Sequence, residues 1–258
     1  MAINKRLMFY IQQIKKGIKD IPMIGFLTWR TYMIIRAPSK INQLFQLVNW
    51  LMRADAKKVF ASWTKFYSED ITNEQMIKNA EHHKYFIDLI CKWANKISEG
   101  RVAKLIEIGA GAATMSIYLS RKCFDVLGLD VEPLLIAKAI ETNKKLCGSA
   151  KFVAMDAFEL STLFREDSFD IAFSQGTMEH FDNDDLKKMI EAQLAVARCV
   201  IFSVPSVNWP RKDFGNERRM SLEKWGRLLT QFGVKIQHIS YYQKWNLHIA
   251  AVITSGNK

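Results

Sequence analysis

The stretch Lys104-Leu-Ile-Glu-Ile-Gly-Ala-Gly-Ala-Ala-Thr114 runs from an apolar strand into a glycine turn and then into a helix. Gly109 and Gly111 let the backbone turn sharply and approach a ligand closely, because neither has a Cβ to collide with it. Alone, such a turn also serves as a purely structural connection. Asp130 changes the reading. It ends the next apolar run, Val126-Leu-Gly-Leu-Asp130, at the spacing that puts a carboxylate on the second strand tip, where it can accept both hydroxyl hydrogens of an adenosine ribose. Asp156 ends a third run, Phe152-Val-Ala-Met-Asp156. Three strand ends bearing Glu107/Gly109/Gly111, Asp130 and Asp156 in order describe a nucleoside site.

Outward from this segment, short apolar runs alternate with amphipathic ones. Strands are expected at 103–108, 125–131, 150–155, 169–174 and 199–204, with helices at 113–121, 134–146, 184–197 and 221–232. That alternation implies a doubly wound, mostly parallel α/β sheet with helices on both faces. Two further strands, 234–242 and 247–254, are separated only by a short turn and must pair antiparallel, which completes seven strands with a terminal antiparallel hairpin. N-terminal to the sheet, apolar residues from Ile41 to Tyr67 recur at three- and four-residue spacing, and a single helix is expected over about 73–97. The division is a helical N-terminal segment over 1–72 and a sheet domain over 73–258.

A dinucleotide oxidoreductase shares the glycine turn and the second-strand acid. Its fingerprint requires glycine where this chain has Thr114, at the helix start that faces a pyrophosphate. S-adenosylmethionine (SAM) has no phosphate to cradle. Residues 103–254 resemble a class I SAM-dependent methyltransferase, of the broad group that includes quinone-biosynthesis and other small-molecule enzymes. Glu107, Gly109 and Gly111, with Ala110 between the glycines, match the family's first motif, and Ala113 stands at its usual third glycine. The resemblance implies that Asp130 holds the ribose, that Val131 packs on the adenine, and that Asp156 and Ala157 meet the adenine nitrogens. The segment Phe169-Asp-Ile-Ala-Phe-Ser-Gln-Gly-Thr-Met-Glu-His-Phe181 is similar to the family's fourth-strand motif. That similarity assigns Ser174, Gln175 and Gly176 to the cofactor and Glu179 and His180 to the mouth of the site.

Methyl transfer from a sulfonium needs alignment more than acid catalysis, and needs a base only if the acceptor must lose a proton. His180 is the candidate base, since imidazole titrates near neutrality; a structural helix-capping role is the alternative. Some relatives bind a metal through Glu-x-x-Glu-His, but the first of those positions is Gly176 here, so no metal site is expected. The 205–220 segment offers Trp209 and Phe214 as apolar walls and Arg218 or Arg219 for an acidic acceptor group. Tyr67, with Trp63, Phe66, His82 and His83, can close over the cofactor, although packing is the expected role of Trp63 and Phe66. The acceptor is expected to be small or lipid-like, methylated on oxygen, nitrogen or carbon. A SAM-binding scaffold without turnover and a nicotinamide oxidoreductase are the alternative readings.

Charge adds one expectation about partners. Of the formal net charge of +11, residues 1–60 hold +9, interleaved with aromatic residues such as Phe9, Trp29 and Trp50. That pattern fits an amphipathic segment on an anionic membrane surface, which would deliver a lipid-like acceptor. Nucleic acid ranks lower, because no nucleic-acid-binding module is apparent. The longest uncharged stretch near the N-terminus, Ile21–Trp29, is far short of the ~20 residues that span a bilayer. A cytoplasmic protein, peripheral on the membrane, is the expectation. The four scattered cysteines, Cys91, Cys123, Cys147 and Cys199, form no metal-ligand spacing and are expected as buried thiols.

Overall fold

The computed structural model describes residues 63–210 and 217–256, all within one compact unit, Lys57–Lys258. The basic segment 1–60 and Phe214, on which several expectations fall, lie outside the described residues.

The helices and strands follow the order α1 (Trp63–Phe66), α2 (Asn73–His82), α3 (Lys84–Ser98), β1 (Lys104–Ile108), α4 (Thr114–Ser120), β2 (Asp125–Asp130), α5 (Pro133–Lys145), β3 (Lys151–Ala154), α6 (Leu160–Leu163), β4 (Phe169–Gln175), α7 (Asn183–Leu194), β5 (Ala197–Pro205), α8 (Leu222–Gln231), β6 (Lys235–Tyr242) and β7 (His248–Thr254). Seven strands form one sheet in the order β3-β2-β1-β4-β5-β7-β6. The first five pair in parallel. β7 inserts antiparallel between β5 and β6. The expected terminal hairpin is therefore present, with the last strand on the inside.

Period-two alternation distributes the core to the two faces of the sheet. Leu105, Ile171, Phe173, Ile201 and Val252 face α3, packing on Phe86, Ile87, Ile90 and Ala94. Their sequence neighbours Ile106, Ala172, Phe202 and Ala251 face the other way, onto Leu186, Met189 and Ile190 of α7 and Trp225 and Leu229 of α8. Each such fully buried apolar side chain contributes about 1.5–3 kcal/mol. Local signals set the helix starts: Thr72 and Gln75 form a reciprocal capping box on α2, and Asp182 and Ser221 cap α7 and α8.

Two expectations need correction. The helix expected over about 73–97 is two, α2 and α3, meeting at His83 (φ −101°, ψ 21°). The amide–carbonyl ladder runs through the kink, His83 N to Asn79 O at 3.0 Å and Ile87 N to His83 O at 3.0 Å. The kinked residue is buried, and its Nδ1 lies 3.0 Å from the Tyr242 hydroxyl on β6. The cysteines differ as well: Cys199 is buried, but Cys123 and Cys147 are exposed. Both occupy left-handed positions, φ 66° and 54°, in the turns that follow α4 and α5, where the chain is at the surface.

Candidate active site

Strand order reverses direction between β1 and β4, and a ligand crevice forms at the carboxyl ends of strands at such a switch point. The glycine turn leaves β1 there. Gly109 (φ 71°) and Gly111 (φ 52°) both have left-handed backbones. A Cβ on Gly109 would stand 2.6 Å from Thr177 Oγ1, and one on Gly111 would stand 2.8 Å from the Tyr67 ring. Both positions thus require glycine for conformation and for space. Ala113, at the third glycine's place, is also left-handed (φ 59°) and wholly buried; its strain is offset by the burial of its methyl group.

Asp130 ties the turn to β2. Its Oδ2 accepts the Gly111 N–H at 2.9 Å and its Oδ1 accepts the Glu132 N–H at 3.0 Å. A carboxylate has about four lone-pair directions, so it retains acceptor capacity toward a ligand. Asp156 accepts the Phe158 N–H at 2.9 Å and caps the short turn that begins at Ala157. Glu107 is buried beneath the glycine turn and accepts from Ser116 N at 3.0 Å and Ser116 Oγ at 2.5 Å. Burial pushes its carboxyl up to about 8, against the opposing pull of the two Ser116 hydrogen bonds.

Two cavities adjoin at the turn. The first, about 370 Å³, is bounded by Asp130, Val131, Asp156, Ala157, Phe158, Gly111 and Thr177. The second, about 380 Å³, is bounded by Glu107, Ala110, Gln175, Glu179, His82, His83, Trp209, Glu217, His248 and Phe66. Trp63, Tyr67, Gly109, Gly176 and His180 line both, and the Trp63 and His180 rings meet edge-to-face at 4.9 Å.

Most residues singled out in the sequence therefore gather around these two spaces. Ser174 and Arg218 do not line either one. Ser174 is fully buried in β4. Arg218 directs Nη1 to Asn183 Oδ1 at 2.7 Å, while its backbone N–H donates to the Glu179 carbonyl at 2.9 Å. Trp63 and Phe66, for which packing was expected, are half-buried cavity walls. Sequence reasoning passed over Thr177, Phe158, Glu217 and His248. Thr177 lies inside the quoted fourth-strand motif, and Phe158 lies two residues after Asp156. Glu217 lies within the 205–220 segment, and for His248 there was no signal, since only the return of β7 beside β5 brings it to the strand tips.

Residues 105–198 match the family described as a methyltransferase domain. The solved structure of magnesium protoporphyrin IX methyltransferase from Synechocystis with bound SAH aligns with a TM-score of 0.55 at 15% identity, over 75% of this chain and 92% of that one. An S-adenosylmethionine-dependent methyltransferase from Clostridium acetobutylicum aligns with a TM-score of 0.55 at 14% identity, over 84% of this chain and all of that one. Residues 105–198 thus carry a methyltransferase domain, in a sheet with the fold of SAM-dependent methyltransferases. Among curated proteins, an eEF1A lysine and N-terminal methyltransferase homolog from Drosophila pseudoobscura pseudoobscura is 27% identical over 126 residues, 47% of this chain. The counterpart from Drosophila melanogaster is 28% identical over 83 residues, 32% of this chain. The matches span only 18% and 12% of those proteins' lengths. The glycine cradle and the two carboxylate-bearing strand tips of this chain fit SAM: the turn leaves no room for side chains, and both acids stand at the cavity edge.

Proposed function

We propose that this methyltransferase domain transfers the methyl group of SAM to a small or lipid-like acceptor held in the cavity between Trp63 and Trp209. The observation that carries the reading is the position of Asp130, which accepts the Gly111 N–H of the glycine turn through Oδ2 and lines the first cavity at the switch point. When bound, SAM supplies a sulfonium-activated methyl group. Asp130 accepts the ribose hydroxyls, Val131 and Phe158 wall the adenine, and Asp156 with Ala157 meets its nitrogens. Glu107, Gly109, Ala110, Gly111, Gln175 and Gly176 border the methionine half, with Ser174 in the strand beneath. Tyr67 and Trp63 cover the junction of the cavities and exclude water from it. His180 lines both cavities, where an imidazole can take a proton from an acceptor as the new bond forms. Because the leaving group needs no acid, alignment of acceptor and methyl by the cavity walls supplies much of the rate.

The test combines two measurements. Thermal shift with SAM, S-adenosylhomocysteine (SAH), NADH and NADPH should show stabilisation by the first two alone; stabilisation by NADH instead returns the oxidoreductase reading. A host extract incubated with protein and methyl-labelled SAM should yield a labelled product, whereas SAM binding with no labelled product in any fraction supports a scaffold.

Cytoplasmic residence with peripheral membrane contact through residues 1–60 belongs to the same proposal. Among the described residues no helix is long and apolar enough to cross a membrane. Liposome co-sedimentation with and without residues 1–40 tests the contact, and equal, negligible pelleting of both forms removes it.

A further inference from the structure

Four polar side chains form a hydrogen-bonded network that the reading above does not use. Ser203 Oγ on β5 lies 2.5 Å from the Tyr242 hydroxyl at the end of β6, and that hydroxyl lies 3.0 Å from His83 Nδ1 in the kink between α2 and α3. On the other side of the ring, His83 Nε2 lies 3.2 Å from Gln175 Nε2 at the tip of β4. Ser203, Tyr242 and His83 are buried, where polar groups must be paired to be tolerated. The network ends at the second cavity, which both His83 and Gln175 line.

The donors set the direction of this network. Burial, with His248 and His82 nearby, holds His83 down at about 2, so the ring is neutral at pH 7 and carries a single N–H. An amide NH2 can only donate. His83 Nε2 therefore accepts from Gln175, and the ring hydrogen sits on Nδ1, where it is donated to the Tyr242 oxygen. The Tyr242 hydrogen is then left for Ser203 Oγ. With Gln175 Nε2 engaged by His83, its carbonyl Oε1 points to the other side of the planar amide, and among the described residues it accepts from no donor. It stands in the same cavity as Glu107, Ala110 and Gly176.

We propose that His83 is a positioning residue for Gln175: anchored by Tyr242 and Ser203, it locks the amide in one orientation, so that Oε1 is a fixed acceptor for the ammonium group of SAM. The inference rests on the cofactor reading above and adds to it a residue that reaches the cofactor only through another. The methionine half of SAM bears an ammonium, which only donates, and a carboxylate, which only accepts. A carbonyl oxygen matches the first and opposes the second. Rotated by half a turn, the same amide would set NH2 against the ammonium, donor facing donor. The lone pair on His83 Nε2 removes that orientation before the ligand arrives, which is preorganisation by a packed, hydrogen-bonded support.

Two measurements test it. Ring-nitrogen NMR of the full chain, labelled at histidine and free of SAM, should show His83 as the Nδ1–H tautomer at pH 7, its signals assigned by their absence in His83→Phe. Tyr242→Phe removes only the hydroxyl that receives that hydrogen, and should shift His83 toward the Nε2–H form as Gln175 turns its oxygen to the ring. The Nε2–H form in the wild type would mean that Gln175 already gives its oxygen to His83, and overturns the proposal. Calorimetry then compares SAH with methylthioadenosine, which keeps the adenosine and lacks the amino-acid half. His83→Phe should weaken SAH at least about tenfold and Tyr242→Phe at least about threefold, with methylthioadenosine within about twofold in both. Equal weakening of the two ligands, or unchanged SAH affinity in both variants, overturns the proposal. If the wild type binds neither ligand, the cofactor reading falls and the ammonium role with it, while the tautomer of the SAM-free protein still decides whether His83 orients Gln175.

Discussion

The two cavities on either side of the glycine turn are built differently. The first is made from consecutive strand tips: Ile108 and Asp130 end β1 and β2, and Met155 and Asp156 directly follow β3, all lining the space. The second is made from distant segments, with His83 from a kink between helices, Trp209 after β5 and His248 at the start of the inserted β7. A site on successive strand ends can be read along the chain because the topology fixes where each tip lies. A site made by an antiparallel insertion and a helix kink depends on packing that no local pattern encodes.

The largest expected effect breaks the first region alone. Gly111→Ala forces a side chain into a left-handed position at a cost of about 1–2 kcal/mol, and its methyl would meet the Tyr67 ring at 2.8 Å. We expect about 2–3 kcal/mol of lost stability in urea unfolding and loss of SAH binding. A variant with unchanged stability and affinity would contradict the tight cradle.

Within the second cavity, the buried histidines and Glu107 should respond oppositely to pH. His83 and His248, held at about 2 and about 3, lie below their ordinary value of 6.5. Between those limits the unfolded chain binds more protons, so stability present above pH 6.5 is lost as pH falls. Glu107, raised to about 8 from 4.5, binds its proton more tightly when folded, so stability falls as pH rises from 4.5 to 8. Each group contributes a slope of about 1.4 kcal/mol per pH unit within its window. The two histidines outweigh Glu107 below pH 6.5, and Glu107 acts alone above it, which puts maximal stability near pH 6.5. Urea unfolding at pH 5.0, 6.5 and 8.0 should show the maximum, and Glu107→Gln should remove the alkaline decline. A stability that keeps rising to pH 8 in the wild type would show that Glu107 is ionised in the fold.

The smallest effect concerns Ala113. Replacement by glycine relieves about 1–2 kcal/mol of left-handed strain but removes a buried methyl worth about 0.8 kcal/mol and adds unfolded-state entropy of about 0.4–1 kcal/mol. Ala113→Gly should change stability by less than about 0.5 kcal/mol in urea unfolding, and a loss above about 2 kcal/mol would mean the methyl packs more tightly than its strain suggests.

The strand sequence, the terminal hairpin and the cofactor-side residues were legible because period-two and helical patterns, glycine spacing and strand-end acids are local signals. The break at His83 was not, because the residues around it keep helical spacing while the His83 ring is held by Tyr242, 159 positions away. Exposure of Cys123 and Cys147 was equally hidden, since cysteine's usual burial says nothing of a left-handed turn. His248 joins the site only through long-range packing, by the return of β7 beside β5.

The account depends most directly on Asp130 as the anchor between the glycine turn and the cofactor. Calorimetry of SAH with the wild type and Asp130→Ala tests it, alongside unfolding curves that confirm both are folded. Loss of two hydrogen bonds to a charged acceptor, at about 1.5–3 kcal/mol each, predicts affinity lower by at least about 100-fold. A folded Asp130→Ala protein that binds SAH as tightly as the wild type would contradict the cofactor site described here.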